Sequence, residues 1–243
     1  MLHLSRALRS LDRESFPKED REIIVVNQDA SERRAAEALA EQQGLRLIQR
    51  ENLGFASGAN AGAAQARGEY IAFLNPVAQY FSGSFEGVLD IFGEDESVGL
   101  VGATLRDTSG DEEAWSKGAF LTVGRLIAQN LALMPAFFPK HPVDWVSGGA
   151  LLVRKELFQR LGGFSEDFFL YFEDMDLCAR VGRAGFSVRS SGELSFSHIG
   201  GRSFASKRSQ KEHFFDSQKK YVWKHRPLWE RQVFFFLRAM KIW

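Results

Sequence analysis

Three acidic residues stand directly behind a run of large apolar side chains in the segment FFLYFEDMDLCAR, residues 168–180. Acids at the start of a helix complement its dipole, and Asp176 lies one turn before Arg180, so a purely structural interpretation suffices for Asp176. It leaves Glu173 and Asp174 without an obvious partner. A carboxylate beside apolar surface has a raised pKa, which suits a general base. We therefore predict general base chemistry here, with a helix N-terminal charge cluster as the alternative.

The elements that must position these acids follow from apolar periodicity. HLSRALRSLDRESF and SERRAAEALAEQQG are predicted helices, with the short strand REIIVV between them. Strand LRLIQRE, a glycine-rich loop into helix ASGANAGAAQARG, and strand EYIAFLN follow. Later segments predict helix FEGVLDIF, strands VGLVGATLRD and GGALLVR, helix KELFQRLGG and the extended pieces FSVRSS and LSFSHIG. This alternation indicates an α/β fold with a doubly wound, mostly parallel sheet flanked by helices.

Ligands of such sheets bind where the strands end, so the residues just after each strand are the most informative. These are NQDAS, NLGFASGAN and NPVAQ. Gly54, Gly58 and Gly62 allow close backbone approach, and the helix that follows could meet a phosphate with its free N–H groups. The spacing is neither that of a P-loop nor that of a dinucleotide fingerprint. Tight packing of the helix on the sheet is an equally weighted explanation of these glycines.

Composition limits the function classes. The 243 residues hold 31 basic and 31 acidic side chains, and this balance argues against a general nucleic-acid binder. A single cysteine, Cys178, excludes an internal disulfide and a cysteine-based zinc site. The charged N-terminus lacks the apolar core of a signal peptide, and no apolar stretch approaches the ~20 residues of a spanning helix. We expect a cytoplasmic protein.

Three blocks of sequence carry a resemblance to a known family. They are NLGFASGANAGAAQARGEYIAFLNP (52–76), DWVSGGALLVRKELFQRLGGFSEDFFLYFEDMDLCARVGRAGFSV (144–188) and SHIGGRS (197–203). Together they resemble the family 2 glycosyltransferases of the GT-A fold, in particular the rhamnosyltransferase-like branch that builds bacterial surface polysaccharides. The resemblance covers most of residues 4–203. It implies a GT-A domain over 1–203 and leaves 204–243 as a helical basic and aromatic tail.

The resemblance also implies an activity and a site. The activity is inverting transfer of a sugar from a nucleotide-diphosphate donor to a hydroxyl of a glycan or lipid-linked acceptor. The family's acidic pair matches Glu173 and Asp174, and we assign the base to Asp174, which must lie within hydrogen-bond reach of the attacking hydroxyl. Residues that match the donor-binding segments are Asp29, Asn52, Gly54, Phe55 and Asn60. Those that match the floor of the acceptor and donor-sugar pocket are Trp145, Ser147 and Gly148, and Trp145 is equally explained as core.

Two departures from the family pattern concern the nucleotide. Where the family has Asn-Pro-Asp, this chain has Asn75-Pro76-Val77, so a metal-binding carboxylate is missing, and valine offers no oxygen ligand to Mn²⁺ or Mg²⁺. Either Asn75, His198 and the diphosphate hold a weak metal, or cations such as Arg202 and Lys207 stabilise the leaving group. His198 matches a histidine near metal or diphosphate in relatives, and a structural histidine is the alternative. NQDAS also replaces Asp-Asn-Ala-Ser, which leaves base recognition by Asp29 open.

A third departure concerns the sheet. Family members begin with a strand that lies in the middle of the sheet, whereas only Met1 and Leu2 precede the first predicted helix here. Omission of that strand would leave unpaired backbone groups on both neighbours, at ~1–3 kcal/mol each if buried. We hypothesise an upstream start, a shortened chain, or a sheet that has closed around the loss.

Residues 202–243, which include the tail, carry 11 basic and 3 acidic residues, interleaved with Trp, Phe and Leu. LWERQVFFFLRAMKIW is a predicted helix that would suit the surface of an anionic membrane leaflet. Packing on the catalytic domain or on a second copy of the chain is the alternative. Two functional classes therefore remain: an active glycosyltransferase at the inner face of the membrane, and a non-catalytic GT-A module that binds a nucleotide sugar or a partner enzyme.

Overall fold

The computed structural model describes residues 1–130, 143–198 and 207–240. The strands are β1 (Ile24–Asn27), β2 (Arg46–Gln49), β3 (Tyr70–Leu74), β4 (Ala78–Gly83), β5 (Val98–Arg106), β6 (Lys117–Gly118), β7 (Trp145–Val146), β8 (Ala150–Arg154) and β9 (Ser187–His198). The α-helices are α1 (Leu2–Leu11), α2 (Arg33–Gln43), α3 (Phe55–Gln65), α4 (Phe85–Glu94), α5 (Val123–Asn130), α6 (Lys155–Arg160), α7 (Glu173–Arg183), α8 (Lys207–His225) and α9 (Leu228–Ala239). Two short 3₁₀ turns cover Lys18–Asp20 and Ala30–Glu32.

The main sheet has five strands in the order β3-β8-β5-β9-β4. β5 and β9 pair in parallel, whereas the β3–β8, β8–β5 and β9–β4 pairs are antiparallel. The α/β class is as predicted, but the sheet is mixed rather than mostly parallel. The difference arises because β8 enters between β3 and β5 in the reverse direction, and a buried run such as ALLVR carries no signal of strand direction. The two extended pieces predicted near the end of the domain form the single strand β9.

β1 and β2 form a separate parallel pair. Within the described part of the chain, no ladder joins this pair to β3. Helix α3 covers β1 closely, since a Cβ added at Gly62 would lie 3.2 Å from a methyl group of Val26. Only Val25 of β1 is buried, whereas eight consecutive residues of β5 are buried. The β1–β2 pair is therefore held mainly by α2, α3 and loop contacts.

The core lies on both faces of the five-stranded sheet. One face packs under α3, α6 and α7, and includes Phe73, Phe158, Phe164, Leu177 and Val181. The opposite face packs against α4, and includes Val88, Phe92, Leu105, Leu194 and Phe196. β7 crosses directly over β5, because a Cβ at Gly102 would overlap the side chain of Val146. This crossing brings the segment after β7 to the end of the sheet where β3 and β5 terminate.

Helices α8 and α9 pack on the rest of the chain. Val222 and Phe234 join Val123 and Leu126 of α5 in one apolar cluster. Glu230 accepts the N–H of Val123 at 2.9 Å and is paired with Arg226 at 2.7 Å. The inner face of the tail is thus buried, while its outer face exposes Trp223, Leu228, Trp229 and Phe236. None of the helices in the described ranges is both long and apolar enough to span a membrane.

Candidate active site

The acidic block begins on an unusual turn of backbone. Tyr171 and Phe172 have φ angles of 69° and 67°, in the left-handed region that residues with a Cβ rarely adopt. Phe172 is the N-cap of α7, and Glu173 and Asp174 are its first two residues. Such backbone typically costs ~1–3 kcal/mol per residue and persists only where the surroundings impose it. The turn determines where the two carboxylates point.

Asp174 lies half-buried where the start of α7 meets the segment after β7. Its Oδ2 accepts the N–H of Gly148 at 2.9 Å, and its Oδ1 accepts the N–H of Met175 at 2.8 Å. Burial raises the pKa of Asp174, and these two backbone donors limit the rise because they favour the ionised form. Among the described residues no cationic side chain pairs with it. An ionised carboxylate in this position is free to accept a proton.

Glu173 has different surroundings. Its side chain is buried, with 5% exposed, and its Oε2 has no hydrogen-bond partner within the described ranges. Burial first, and then the charge of Asp174, raise the pKa of Glu173 well above its ordinary value. A buried carboxyl without a partner favours its neutral form. Burial therefore favours the neutral form of Glu173 more strongly than that of Asp174, which accepts two backbone N–H groups.

Asp176 is a structural acid, as the sequence predicts. It is fully buried and accepts hydrogen bonds from Arg180 Nε at 2.7 Å, His225 Nε2 at 2.7 Å and Lys224 Nζ at 3.0 Å. The hydrogen bond from His225 and the charge of Arg180 outweigh burial and lower the pKa of Asp176 to about 2. The predicted pair with Arg180 is confirmed. The ties to His225 and Lys224 were not predicted, because the sequence places these residues 49 and 48 positions away.

The glycine-rich loop lies against the acidic block. Phe55 donates its N–H to the carbonyl of Phe169 at 2.9 Å, and Gly54 has a φ of 99°. A Cβ at Gly54 would overlap the backbone of Phe169, so this glycine allows a close approach. Asn52 supports the turn, since its Oδ1 accepts the N–H of Gly54 at 3.1 Å. Gly58 and Gly62 instead pack against residues 26–28, so the packing explanation holds for those two.

Three separate segments meet beside Asp174. A Cβ added at Gly148 would lie 3.5 Å from the ring of Phe55 and 3.6 Å from the Cβ of Asp174. Ser147 caps the same turn, with its Oγ accepting the N–H of Gly149 at 3.1 Å. Asn75, which follows β3, donates its N–H to the carbonyl of Gly149 at 2.9 Å. The predicted donor loop, the predicted pocket floor and Asp174 therefore lie side by side, and this junction is our candidate cleft.

Other residues that were predicted to belong to the substrate site form structural contacts. The amide of Asn60 bonds both backbone groups of Phe164 at 2.9 Å and Glu166 at 3.0 Å, so it joins α3 to the 163–166 loop rather than facing the cleft. Asp29 accepts two hydrogen bonds from Ser31, which hold its pKa below the ordinary value, at the exposed end of β1. Trp145 donates to the carbonyl of Ala119 at 3.2 Å and packs on the core. Each of these three side chains thus has a structural partner, and the substrate contacts assigned to them stay predictions.

Sequence reasoning missed Gln28. Its Nε2 donates to the carbonyl of Gly54 at 3.2 Å and that of Glu51 at 3.3 Å, and so ties the end of β1 to the glycine-rich loop. Its position directly after a strand was the available signal. Arg202 lies outside the described residues. The backbone of His198 pairs with Ala78, one residue from Val77, but its side chain also lies outside the described part.

The described residues do not fit a divalent cation. Val77 is buried with 8% exposed and offers no ligand atom where a carboxylate was expected. The Oδ1 of Asn75 accepts the N–H of Val77 at 3.1 Å. Nowhere in the described ranges do three His, Cys, Asp or Glu side chains form a group able to hold a metal ion. Oxygen ligands are what Mg²⁺ and Mn²⁺ require, and this edge of the cleft supplies too few.

Comparison with protein families and curated proteins gives matches over much of the chain. The family described as Glycosyl transferase family 2 matches residues 3–162, and one described as the N-terminal domain of galactosyltransferase matches residues 130–199. An N-acetylglucosaminyl-diphospho-decaprenol L-rhamnosyltransferase of Mycobacterium tuberculosis is 30% identical over 135 residues, 49% of this chain and 43% of that protein. Rhamnosyltransferase WbbL of Escherichia coli is 41% identical over 68 residues, 27% of this chain and 26% of that one. The chain spans less than half the length of these relatives.

Solved structures share the fold at low sequence identity. The mannosyltransferase PcManGT of Pyrobaculum calidifontis, in complex with GDP-Man and Mn²⁺, has a TM-score of 0.61 at 17% identity, over 91% of this chain and 60% of that one. Residues 1–349 of TarS from S. aureus also give 0.61, at 12% identity, over 92% of this chain and 69% of the other. These likenesses confirm the predicted fold class.

Proposed function

Because the chain belongs to glycosyl transferase family 2, we propose that it transfers a sugar from a nucleotide-diphosphate donor to an acceptor hydroxyl, with inversion. The observation that carries the proposal is the state of Asp174. Its carboxylate lies in the cleft beside the glycine-rich loop, is oriented by two backbone N–H groups and has no described cationic partner. This is the state that a general base requires before reaction.

The neighbours of Asp174 support this role. Asp174 accepts the proton of the acceptor hydroxyl as that oxygen attacks the anomeric carbon, and the nucleoside diphosphate leaves from the opposite face. Burial raises the pKa of Glu173 and so disfavours a second negative charge beside Asp174. Asn52, Gly54 and Phe55 line the donor side, and Ser147 and Gly148 line the floor. Cations stabilise the leaving diphosphate, and Arg202 remains our prediction for that role.

For the substrates, the relatives' names supply the most specific support. Two of them are rhamnosyltransferases, and one name specifies an acceptor sugar on diphospho-decaprenol. We therefore assign the donor to the nucleotide-linked deoxyhexoses and the acceptor to sugars on a polyprenyl diphosphate, as in bacterial surface polysaccharide synthesis. Such an acceptor is held in a membrane. The exposed aromatic face of α8 and α9 and the basic excess of the tail suit the cytoplasmic leaflet.

A non-catalytic nucleotide-sugar module is the second candidate, and the buried Val77 in place of a metal-binding carboxylate favours it. A panel of nucleotide sugars separates the two. We expect at least one donor to raise the melting temperature, since a ligand that binds only the folded chain stabilises it. The same donor should then be turned over in the presence of a lipid-linked acceptor, with release of the nucleoside diphosphate. Binding without turnover, with or without Mn²⁺, would favour the non-catalytic module.

A further inference from the structure

Side chains of helix α8 bind residues 165–172, the segment that precedes Glu173 and Asp174. Ser217, itself buried, donates from Oγ to the carbonyl of Leu170 at 2.7 Å. One turn later, Lys220 Nζ donates to the carbonyl of Asp167 at 2.8 Å. These two contacts reach backbone carbonyls rather than side chains. They therefore fix the path of the segment itself.

Aromatic packing holds the last two residues of this segment. The ring of Tyr221, almost fully buried, lies 5.5 Å from that of Phe172. Phe214 lies 5.3 Å from Phe172 and 5.7 Å from Tyr171. Gln210 Nε2 donates to the hydroxyl of Tyr171 at 2.7 Å. Both residues with left-handed backbone are thus held by side chains from α8.

A third set of contacts joins the end of α8 to α7. Arg183 Nη2 lies 2.8 Å from Nδ1 of His225, and a guanidinium only donates, so Nδ1 is the acceptor. The ring proton of His225 is therefore on Nε2, which donates to Asp176 at 2.7 Å. The ring of His225 stacks on Tyr221, with centroids 4.7 Å apart. Asp176 lies two residues after Asp174, so His225 anchors the first turn of α7.

We propose that α8 is a positioning clamp for Asp174, and that Ser217 and His225 are its principal residues. Tyr171 and Phe172 adopt left-handed backbone immediately before Glu173. Without restraint, the segment would relax toward commoner conformations, and the carboxylate would leave the N–H of Gly148. The contacts of α8 thus position the carboxylate of Asp174 through residues 165–172. The catalytic consequence of the clamp rests on the proposed function, whereas its effect on the 165–176 segment does not.

The test combines hydrogen exchange with kinetics on the full chain. Ser217→Ala and His225→Ala should raise amide exchange in residues 165–176 and at Gly148. Once a donor is identified, kcat of both variants should fall about tenfold or more while the KM for the donor stays unchanged. The reason is that the base loses its orientation whereas the donor still binds. His225→Gln keeps an N–H donor near the position of Nε2 and should restore most of the rate.

Two controls separate positioning from stability. Glu212→Ala breaks an exposed ion pair with Arg208 on the same helix and should change neither readout. Val88→Ala removes buried volume on the opposite face of the sheet and should lower the melting temperature without a selective loss of kcat. Unchanged exchange in Ser217→Ala and His225→Ala would overturn the clamp, even if no donor is ever turned over. The clamp would also be overturned if Ser217→Ala and His225→Ala lost no more kcat than Val88→Ala at an equal loss of stability.

Discussion

Glu173 and Asp174 are adjacent in sequence but differ in what surrounds their carboxyl groups. Glu173 is buried and one of its carboxyl oxygens has no described partner, whereas Asp174 is partly buried and accepts two backbone N–H groups. Helical geometry explains the difference, since consecutive residues point about 100° apart around the axis. One side chain enters the core and the other enters the cleft. The division of roles between them follows from this direction rather than from residue type.

The raised pKa of Glu173 makes a prediction about stability. The folded chain keeps this proton to higher pH than the unfolded chain, whose value is near 4.5, so the free energy of unfolding falls as pH rises above 4.5 toward the folded-state pKa. Gln cannot ionise. The free energy of unfolding of Glu173→Gln, relative to wild type, should therefore increase as the pH rises above about 5 in urea titrations. Glu86→Gln, exposed on α4, should show no such trend. A difference that is constant with pH would mean that Glu173 is ionised in the fold.

Val77 makes a prediction about metal affinity. Val77→Asp supplies a carboxylate oxygen beside Asn75, so Mn²⁺ should bind this variant at least about tenfold more tightly than wild type in the presence of a nucleoside diphosphate. Val77→Asn matches the volume without the charge and should gain much less. Titration calorimetry or electron paramagnetic resonance measures both. Equal Mn²⁺ affinity in wild type and Val77→Asp would show that the metal, if bound, is held elsewhere.

At the scale of the elements, Gly54 and Gly44 differ in the space around them, because only Gly54 closely approaches another segment, at Phe169. Gly44 and Gly54 both have positive φ, but a Cβ at Gly44 meets nothing within 4 Å, whereas one at Gly54 overlaps backbone. Gly44→Ala should therefore cost only the conformational strain, about 1–2 kcal/mol. Gly54→Ala should cost more and also weaken nucleotide binding, because the loop must move away from residues 168–170. Chemical denaturation and calorimetry with a nucleoside diphosphate measure the two effects. Equal behaviour of the two variants would remove the loop from the site.

Local sequence signals predicted local features well. The start of α7 and the Asp176–Arg180 pair both depend on residues within one or two turns, where spacing determines contact. Features that depend on distant segments were missed. Gln28 reaches the glycine loop from another strand, and His225 reaches Asp176 across 49 positions. Asn60 was matched to the donor-binding loop through the family resemblance, and its local sequence gave no sign of the Phe164 backbone that its amide binds.

At the scale of the whole molecule, the tail has an inner face that is buried on the domain and an outer face that is exposed. Phe234 and Val222 are buried against α5, so the prediction of packing on the domain is confirmed for the inner face. The outer face leaves Trp223, Leu228, Trp229 and Phe236 each at least 60% exposed, and Arg231 lies over the ring of Trp223 at 5.2 Å. Aromatic side chains with adjacent cations are typical of interfacial helices. The membrane interpretation therefore concerns this outer face alone.

Vesicle flotation tests the outer face without disturbing the inner one. Trp229→Glu combined with Phe236→Glu should abolish flotation with anionic vesicles, because both changes lose apolar contact and add repulsive charge. Phe81→Glu, at an exposed aromatic on β4, is the matched control and should float as wild type does. Vesicles of neutral lipid should recover less protein than anionic ones. Flotation of the double variant at the wild-type level would end the membrane proposal and leave a second copy of the chain as the occupant to test.

The central claim is that the carboxylate of Asp174 accepts the acceptor's proton. The rate of transfer by Asp174→Asn tests this claim most directly, with donor affinity measured on the same preparation. Asp90→Asn on α4 is the matched control. We predict a loss of about 10²–10⁴-fold in kcat with donor affinity unchanged, because the amide keeps the shape of the side chain but cannot take a proton. Transfer at the wild-type rate by Asp174→Asn would contradict the claim.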